Sequence, residues 1–226
     1  MEGMLKLYSP INELKQIGEE IWIVDGNEIH MSFKLFKVPF TTRMTIVKLD
    51  NNKLWIHSPI AFNKELNDKI KELGDIEHII APNKYHYSYV LDWYYNYTNA
   101  KVWLAKGVST KLKIDKKENF VSLDNMSKTS WSEEIYFTPF RGSIAMEEMV
   151  FFHKKSSTLI LTDLIESIEV NKLPLLYKLV FKFGDNKYPK FRTSRDLRSS
   201  FIFLKKAKDS YSKIESWKPD KIVFSH

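Results

Sequence analysis

Residues 76–87 read IEHIIAPNKYHY, and the order of chemistry in that stretch decides how the rest of the chain is read. Ile76–Ala81 is an apolar run of strand length. Pro82 ends it, because proline has no N–H to give to a ladder, and the loop that follows carries Asn83 and His86. Two other stretches repeat the layout. STLILTDL at 157–164 sets Asp163 just past TLIL, and KIVFSH at 221–226 sets His226 just past KIVF. Each puts a side chain able to ligate a metal directly beyond a β-like run. Strand ends converge at one edge of a sheet, so three residues far apart in sequence can meet there.

Working outward, NKELNDKIKELG at 63–74 predicts a helix. Asn63 is the cap, Leu66, Ile70 and Leu73 form the apolar stripe, and Gly74 is the stop. YSYVLDWYYNY at 87–97 has helical spacing, and KVWLAKG at 101–107 is a further strand. From 53 to 105 the order is therefore strand, helix, strand, helix, strand, an α/β layer pattern. The flanks are β-rich. EIWIVDG at 20–26 predicts a short strand and a turn, and RMTIVKLDNNKLWIHSP at 43–59 a hairpin about Asp50-Asn51-Asn52. EEIYFTPF at 133–140 is followed by a second hairpin, MVFFH and TLILTD about Lys154-Lys155-Ser156-Ser157. The polar stretch 106–130 reads as a long loop and 164–183 as helical or irregular. Residues 195–214 predict one longer helix with Leu197, Phe201, Leu204, Tyr211 and Ile214 on one stripe. KPDKIVFSH closes with a strand. With no repeat and no linker, one domain over 1–226 is expected, of class α+β.

Composition removes several chemistries. There is no cysteine, so disulfides, thiolate metal sites and cysteine nucleophiles are excluded. Glycine is scarce, at 7 residues, and neither GxGxxG nor GxxxxGK[ST] occurs, which argues against nucleotide-binding loops. Ser58 precedes a proline rather than standing in a GxSxG turn, so a serine hydrolase has little support. No apolar run approaches about 18 residues, so no membrane span is expected, and the acid-bearing N-terminus does not resemble a signal peptide. A cytoplasmic location is the expectation. The net charge of +7 is concentrated. Residues 182–221 hold 12 Lys/Arg and 5 Asp/Glu, an excess of 12 − 5 = +7, which leaves the remainder balanced. Such a segment reads first as a solvated helix face, and nucleic acid is not the expected partner.

RMTIVKL, LWIHSPI, the NxxH of APNKYHY, TNAKVWLAKG, Glu147 ahead of VFFH, LILTDL and the terminal VFSH occur in an order that resembles the metallo-β-lactamase superfamily. More closely, it resembles an uncharacterised family of shortened members with a depleted metal motif. The resemblance runs from about Arg43 to His226 and implies an αββα sandwich with a site at one sheet edge. The superfamily's HxHxDH loop corresponds to PNKYHYS. Asn83 then stands at its second His, Tyr85 at its Asp and His86 at its last His, while the first His has no counterpart. Arg141 in TPFRG stands at the middle His, Asp163 at the bridging Asp, and His226 at the final His. The resemblance thus implies His86, Asp163 and His226 as ligands of one divalent metal, Zn or Fe, with the all-His half of a dinuclear site lost. Tyr85 and Tyr87 would be catalytic, and Asn83, His57, Ser58 and Glu147 would orient the ligands. Strand alternation turns only one of Glu147 and Glu148 inward. Each ligand also has a local alternative: His86 and Asp163 can cap helices, and His226 can fray unless its strand is paired. The expected activity is hydrolysis of a small ester, lactone or phosphoester. The alternative is a non-catalytic binding or interaction module with a basic C-terminal helix.

Overall fold

The computed structural model describes residues 5–33, 36–114, 118–124, 128–173, 178 and 184–226. Seven strands form the larger sheet in sequence order: β1 (Lys15–Gly18), β2 (Ile21–Phe33), β3 (Phe36–Lys48), β4 (Lys53–His57), β5 (Asp75–Ala81), β6 (Lys101–Leu104) and β7 (Phe120–Ser122). β1 to β4 are antiparallel neighbours, whereas β4 to β7 run parallel, each linked by a crossover. The smaller sheet has the order β11 (Lys221–Val223), β10 (Thr158–Ile160), β9 (Glu148–His153), β8 (Ile135–Phe140).

The crossovers of the larger sheet are helices with local reasons to form. In α1 (Lys64–Leu73) the Asn63 side chain accepts from Leu66 N at 2.9 Å, and Leu66 and Ile70 are buried. α2 (Val90–Asn96) buries Val90 and Trp93, the latter donating from its indole N–H to Ile60 O at 2.7 Å. α3 (Val108–Leu112) is a single short turn region. Between the sheets lie Trp55, Trp131 and Phe151, all fully buried and in edge or tilted ring contact at 5.0–6.0 Å. The outer face of the smaller sheet buries Val150, Phe152, Leu159 and Leu161 against Ile214 of α5 (Leu204–Glu215), with Trp217 stacked on Phe152. Helix, sheet, sheet, helix is the resulting α+β architecture.

Three sequence expectations are corrected. EIWIVDG is the start of a 13-residue strand rather than a short one; it continues past a register shift at Gly26 to pair with β3. The supposed loop 106–130 contains α3 and the edge strand β7, whose Phe120 ring packs on Tyr94 at 4.7 Å. The expected helix over 195–214 is two: α4 (Arg195–Ser199) and α5. Serines break it. Ser199 and Ser200 hydroxyls bond back to Asp196 O and Leu197 O, Ser200 also meets Ser143, and Phe201 pairs with Ser143 as a β-bridge. The phase of α5 shifts accordingly, so that Ser210 and Ile214 are buried while Leu204 and Tyr211 are exposed. Gly142 (φ 115°) permits the close approach, since a Cβ there would sit 2.9 Å from Phe203 O and 3.0 Å from Ala207. Part of the stretch 164–183 lies outside the described residues. Among the described residues no helix is long and apolar enough to cross a membrane.

Candidate metal centre

Bonds between strand ends set where the functional side chains stop. Pro82 O accepts from Met149 N at 2.8 Å, which ties the end of β5 in one sheet to the start of β9 in the other and brings Asn83 beside Glu148. β10 and β11 are parallel with Ile160 opposite Val223, and Leu161 N donates to Val223 O at 2.8 Å. The same register carried three residues further sets Asp163 against His226. The strand before His226 is thus paired, and Ser167 N also holds His226 O at 3.0 Å. Arg43 of β3 braces that segment: its Nη1 donates to Phe224 O at 2.9 Å while its Nε donates to Asp25 Oδ1 at 2.8 Å. Ser58 follows β4, and its N–H donates to Ile80 O at 3.0 Å.

Local capping falls to Asn83, not to His86. The Asn83 Oδ1 accepts from Tyr85 N at 2.7 Å and His86 N at 3.0 Å, closing the loop after Pro82. His86 is thereby free to face inward. Its Nδ1 lies 2.7 Å from Ser58 Oγ, and its Nε2 lies 3.0 Å from Asp163 Oδ1 and 3.3 Å from His226 Nε2. The third side, His226 Nε2 to Asp163 Oδ1, is 3.6 Å. Asp163 does not serve as a helix cap; its Oδ2 accepts from Asn83 Nδ2 at 2.7 Å.

The donor set can be tested against a metal directly. Ligands at about 2.1 Å from a tetrahedral ion stand about 3.4 Å apart. The three sides of 3.0, 3.3 and 3.6 Å bracket that spacing, so the two imidazole nitrogens and one carboxylate oxygen form one face of a tetrahedron. The chemistry agrees: if Ser58 Oγ accepts from Nδ1–H, the lone pair of His86 Nε2 faces the same point as Asp163 Oδ1. Two lone pairs 3.0 Å apart call for a cation, a proton or a metal, between them. The residues fit a single ion.

Charges in the cluster are strongly coupled. Burial disfavours a charged His86, but the adjacent Asp163 carboxylate outweighs it and raises the ring's pKa. Burial likewise works against an ionised Asp163, yet His86, His226 and the Asn83 amide hold it below the usual carboxylate range. His226 is pushed down to about 3 by burial and by the charge on His86, so the two rings are driven in opposite directions. Beneath them Glu148, fully buried, accepts from Thr162 N at 2.7 Å and Asp163 N at 2.8 Å; burial and the Asp163 charge raise its pKa. Burial, chiefly, raises Glu166 to about 8, with Asn186 as its hydrogen-bond partner.

The other expected site residues divide. Ser58 and Asn83 touch the cluster. Tyr85 and Tyr87 line a pocket of about 30 Å³ together with Pro59, His86 and His226. Tyr85 is 37% exposed, at the rim. His57 is instead in the inter-sheet core, stacked on Trp55 at 5.5 Å and edge-on to Phe151 at 5.3 Å. Glu147 faces Arg141 at 3.6 Å, and it is Glu148 that turns in. His78 and His153 are buried elsewhere, bonded to Trp103 and Ser156. Sequence reasoning missed Thr162, Arg43 and Asn186. Nothing in their local pattern separates them from ordinary strand and loop polar residues.

A family model described as a domain of unknown function, DUF4336, matches residues 19–200, a stretch that includes Asn83, His86 and Asp163 but ends before His226. The chain belongs to this family. Among solved structures, the DIM-1 metallo-β-lactamase exposed to ceftazidime matches with a TM-score of 0.61 and 9% identity, over 100% of this chain and 91% of its own. Metallo-β-lactamases from Erythrobacter litoralis (TM-score 0.58, 10% identity, 94% of this chain and 88% of that one) and Hirschia baltica (0.57, 10%, 95% and 90%) are similar too. This DUF4336 member therefore has the metallo-β-lactamase fold, and identities this low carry the fold alone. No curated protein matches the sequence at a significant level.

Proposed function

We propose that this DUF4336 protein is a hydrolase, acting as one domain over 1–226, that uses one divalent ion, zinc or iron, on a small ester, lactone or phosphoester. The observation that carries the reading is the triangle of His86 Nε2, Asp163 Oδ1 and His226 Nε2, with sides of 3.0, 3.3 and 3.6 Å. These three residues would hold the ion and leave a position open. Bound there, a divalent ion supplies the Lewis acidity that a water nucleophile and a carbonyl or phosphoryl oxygen need at neutral pH.

The chain's own groups supply orientation. Ser58 fixes the His86 ring through Nδ1, and Asn83 fixes the Asp163 carboxylate through Oδ2. Burial and the charges of Asp163 and Asp196 raise the Tyr85 phenol, so it stays protonated and able to donate to a substrate oxygen as charge develops there. Tyr87 lines the same pocket. The pocket also takes in Pro59 and opens beside His86 and His226, so the reacting group of a substrate would enter there with its body along Tyr85.

The test is metal analysis of protein purified without an affinity tag, with hydrolysis of an aryl ester, a lactone and an aryl phosphodiester. Near-stoichiometric metal is expected, together with hydrolysis of one class that is lost on chelation and in His86→Ala. Protein that carries no stoichiometric metal and cleaves none of the three defeats the reading. The non-catalytic binding module would then stand.

A further inference from the structure

Asn83 is wholly buried, and both ends of its amide are engaged. Backbone N–H groups can only donate, so the two from Tyr85 and His86 require Oδ1 to face them and leave Nδ2 facing the other way. The orientation of the amide is thus fixed by the loop rather than free to flip. On that other side Nδ2 meets three oxygens: Asp163 Oδ2 at 2.7 Å, Thr162 Oγ1 at 2.8 Å and Glu148 Oε2 at 3.2 Å. Two of the three belong to carboxylates, and all are buried or nearly so.

Several oxygens converging on one point, two of them carboxylate, is the arrangement a hard divalent cation takes. Here the point is filled by an amide nitrogen whose two hydrogens carry only partial positive charge. The two oxygens of Asp163 are divided in consequence: Oδ1 faces His86 and His226, and Oδ2 is held by Asn83. With Oδ2 already accepting from the Asn83 amide, the Asp163 carboxylate has less to offer a second ion.

We propose that the Asn83 amide stands in for a second cation and so confines the centre to a single ion. The inference rests on the single-ion reading of His86, Asp163 and His226. It adds that this chain excludes a second ion by filling its place, rather than merely by lacking ligands for it.

The experiment is a zinc titration of chelator-stripped protein followed by native mass spectrometry, on wild type, Asn83→Asp and Asn83→Ser, with circular dichroism to establish folding. Wild type is expected to take one ion. Asn83→Asp exchanges the donating amide for a third carboxylate and is expected to take two. Asn83→Ser removes Nδ2 but keeps an oxygen for the loop N–H groups, and is expected to take a second ion more weakly than the first. Should Asn83→Asp not fold, the serine variant decides. Folded variants that stop at one ion overturn the proposal, as does a wild type that takes two. A wild type that takes none sinks the single-ion reading beneath it, an outcome the ion count tells apart from the other two.

Discussion

His57 is buried at the end of β4, and His86, its side chain 10% exposed, is nearly so just past the end of β5, yet burial leads to opposite results. His57 lies between Trp55 and Phe151 with its Nε2 unpartnered, and burial, aided by the charge on His86, pushes its pKa down to about 3. His86 has burial against it as well, but Asp163 at 3.0 Å reverses the sign. Only a strand's width separates an apolar core, where a ring is packing material, from a polar rim, where it is a charged or ligating group. Depth does not make the difference; a carboxylate within hydrogen-bond reach does.

The largest effect expected from testing that contrast is on the core side. Phe151→Ala empties a fully buried site among Trp55, Trp131 and His57, and should lower stability by about 3–5 kcal/mol in urea melts. The fraction that remains folded should take up zinc as wild type does. A large loss of zinc affinity in the folded variant would show that core and rim are one unit.

A second, smaller contrast pairs the two rings directly. Zinc present at about 100 times its dissociation constant should stabilise wild type by about 2.7 kcal/mol, and His86→Ala should abolish that gain. His57→Leu should keep it, with a stability change within about 1.5 kcal/mol, because a packing ring is replaced by a packing side chain. Thermal melts with and without zinc read both. Equal loss of the zinc shift in the two variants would dissolve the distinction.

A further contrast lies in the pH dependence of the metal-free protein. His57 has a folded value near 3 against 6.5 for the free ring, so as pH falls the unfolded chain binds the proton first. Its contribution is present above about pH 6.5 and drains away toward pH 3. His86 has a folded value raised above 6.5, so its contribution is present below about pH 6.5 and lost as pH rises through the folded value. His57→Leu should therefore flatten the acid side of a stability profile measured from about pH 4 to 8, and His86→Ala the neutral side. The reverse assignment would contradict the geometry.

The parts of the fold legible in the sequence were those specified locally. Asn63 caps α1 as its position before an apolar stripe demands, Pro82 closes β5, and the 43–59 and 149–163 hairpins have the turns their sequences indicate. The meeting of His86, Asp163 and His226 was foreshadowed because each follows a short apolar run, and parallel pairing carries such residues to a common edge. What escaped was set by tertiary contacts. β7 has three residues and, among the described residues, pairs only with β6. The break at Ser199–Phe203 depends on Ser143, more than fifty residues away in sequence. The choice between Glu147 and Glu148 was hidden because β9 is buried on both faces, so its apolar pattern has no phase to read.

The parallel pairing of β10 with β11 has a kinetic implication. Ile160 and Val223 are 223 − 160 = 63 positions apart, whereas the β2/β3 and β9/β10 hairpins join near neighbours. Closing so long a loop costs entropy before any bond repays it, and non-local pairing slows folding. During refolding, burial of the tryptophans between the sheets should precede competence to capture zinc, because His226 arrives last. Stopped-flow tryptophan fluorescence run against a zinc-release indicator would time the two. Simultaneous traces would mean that the C-terminal strand docks with the core, and that the ion centre is as old in each folding event as the sandwich around it.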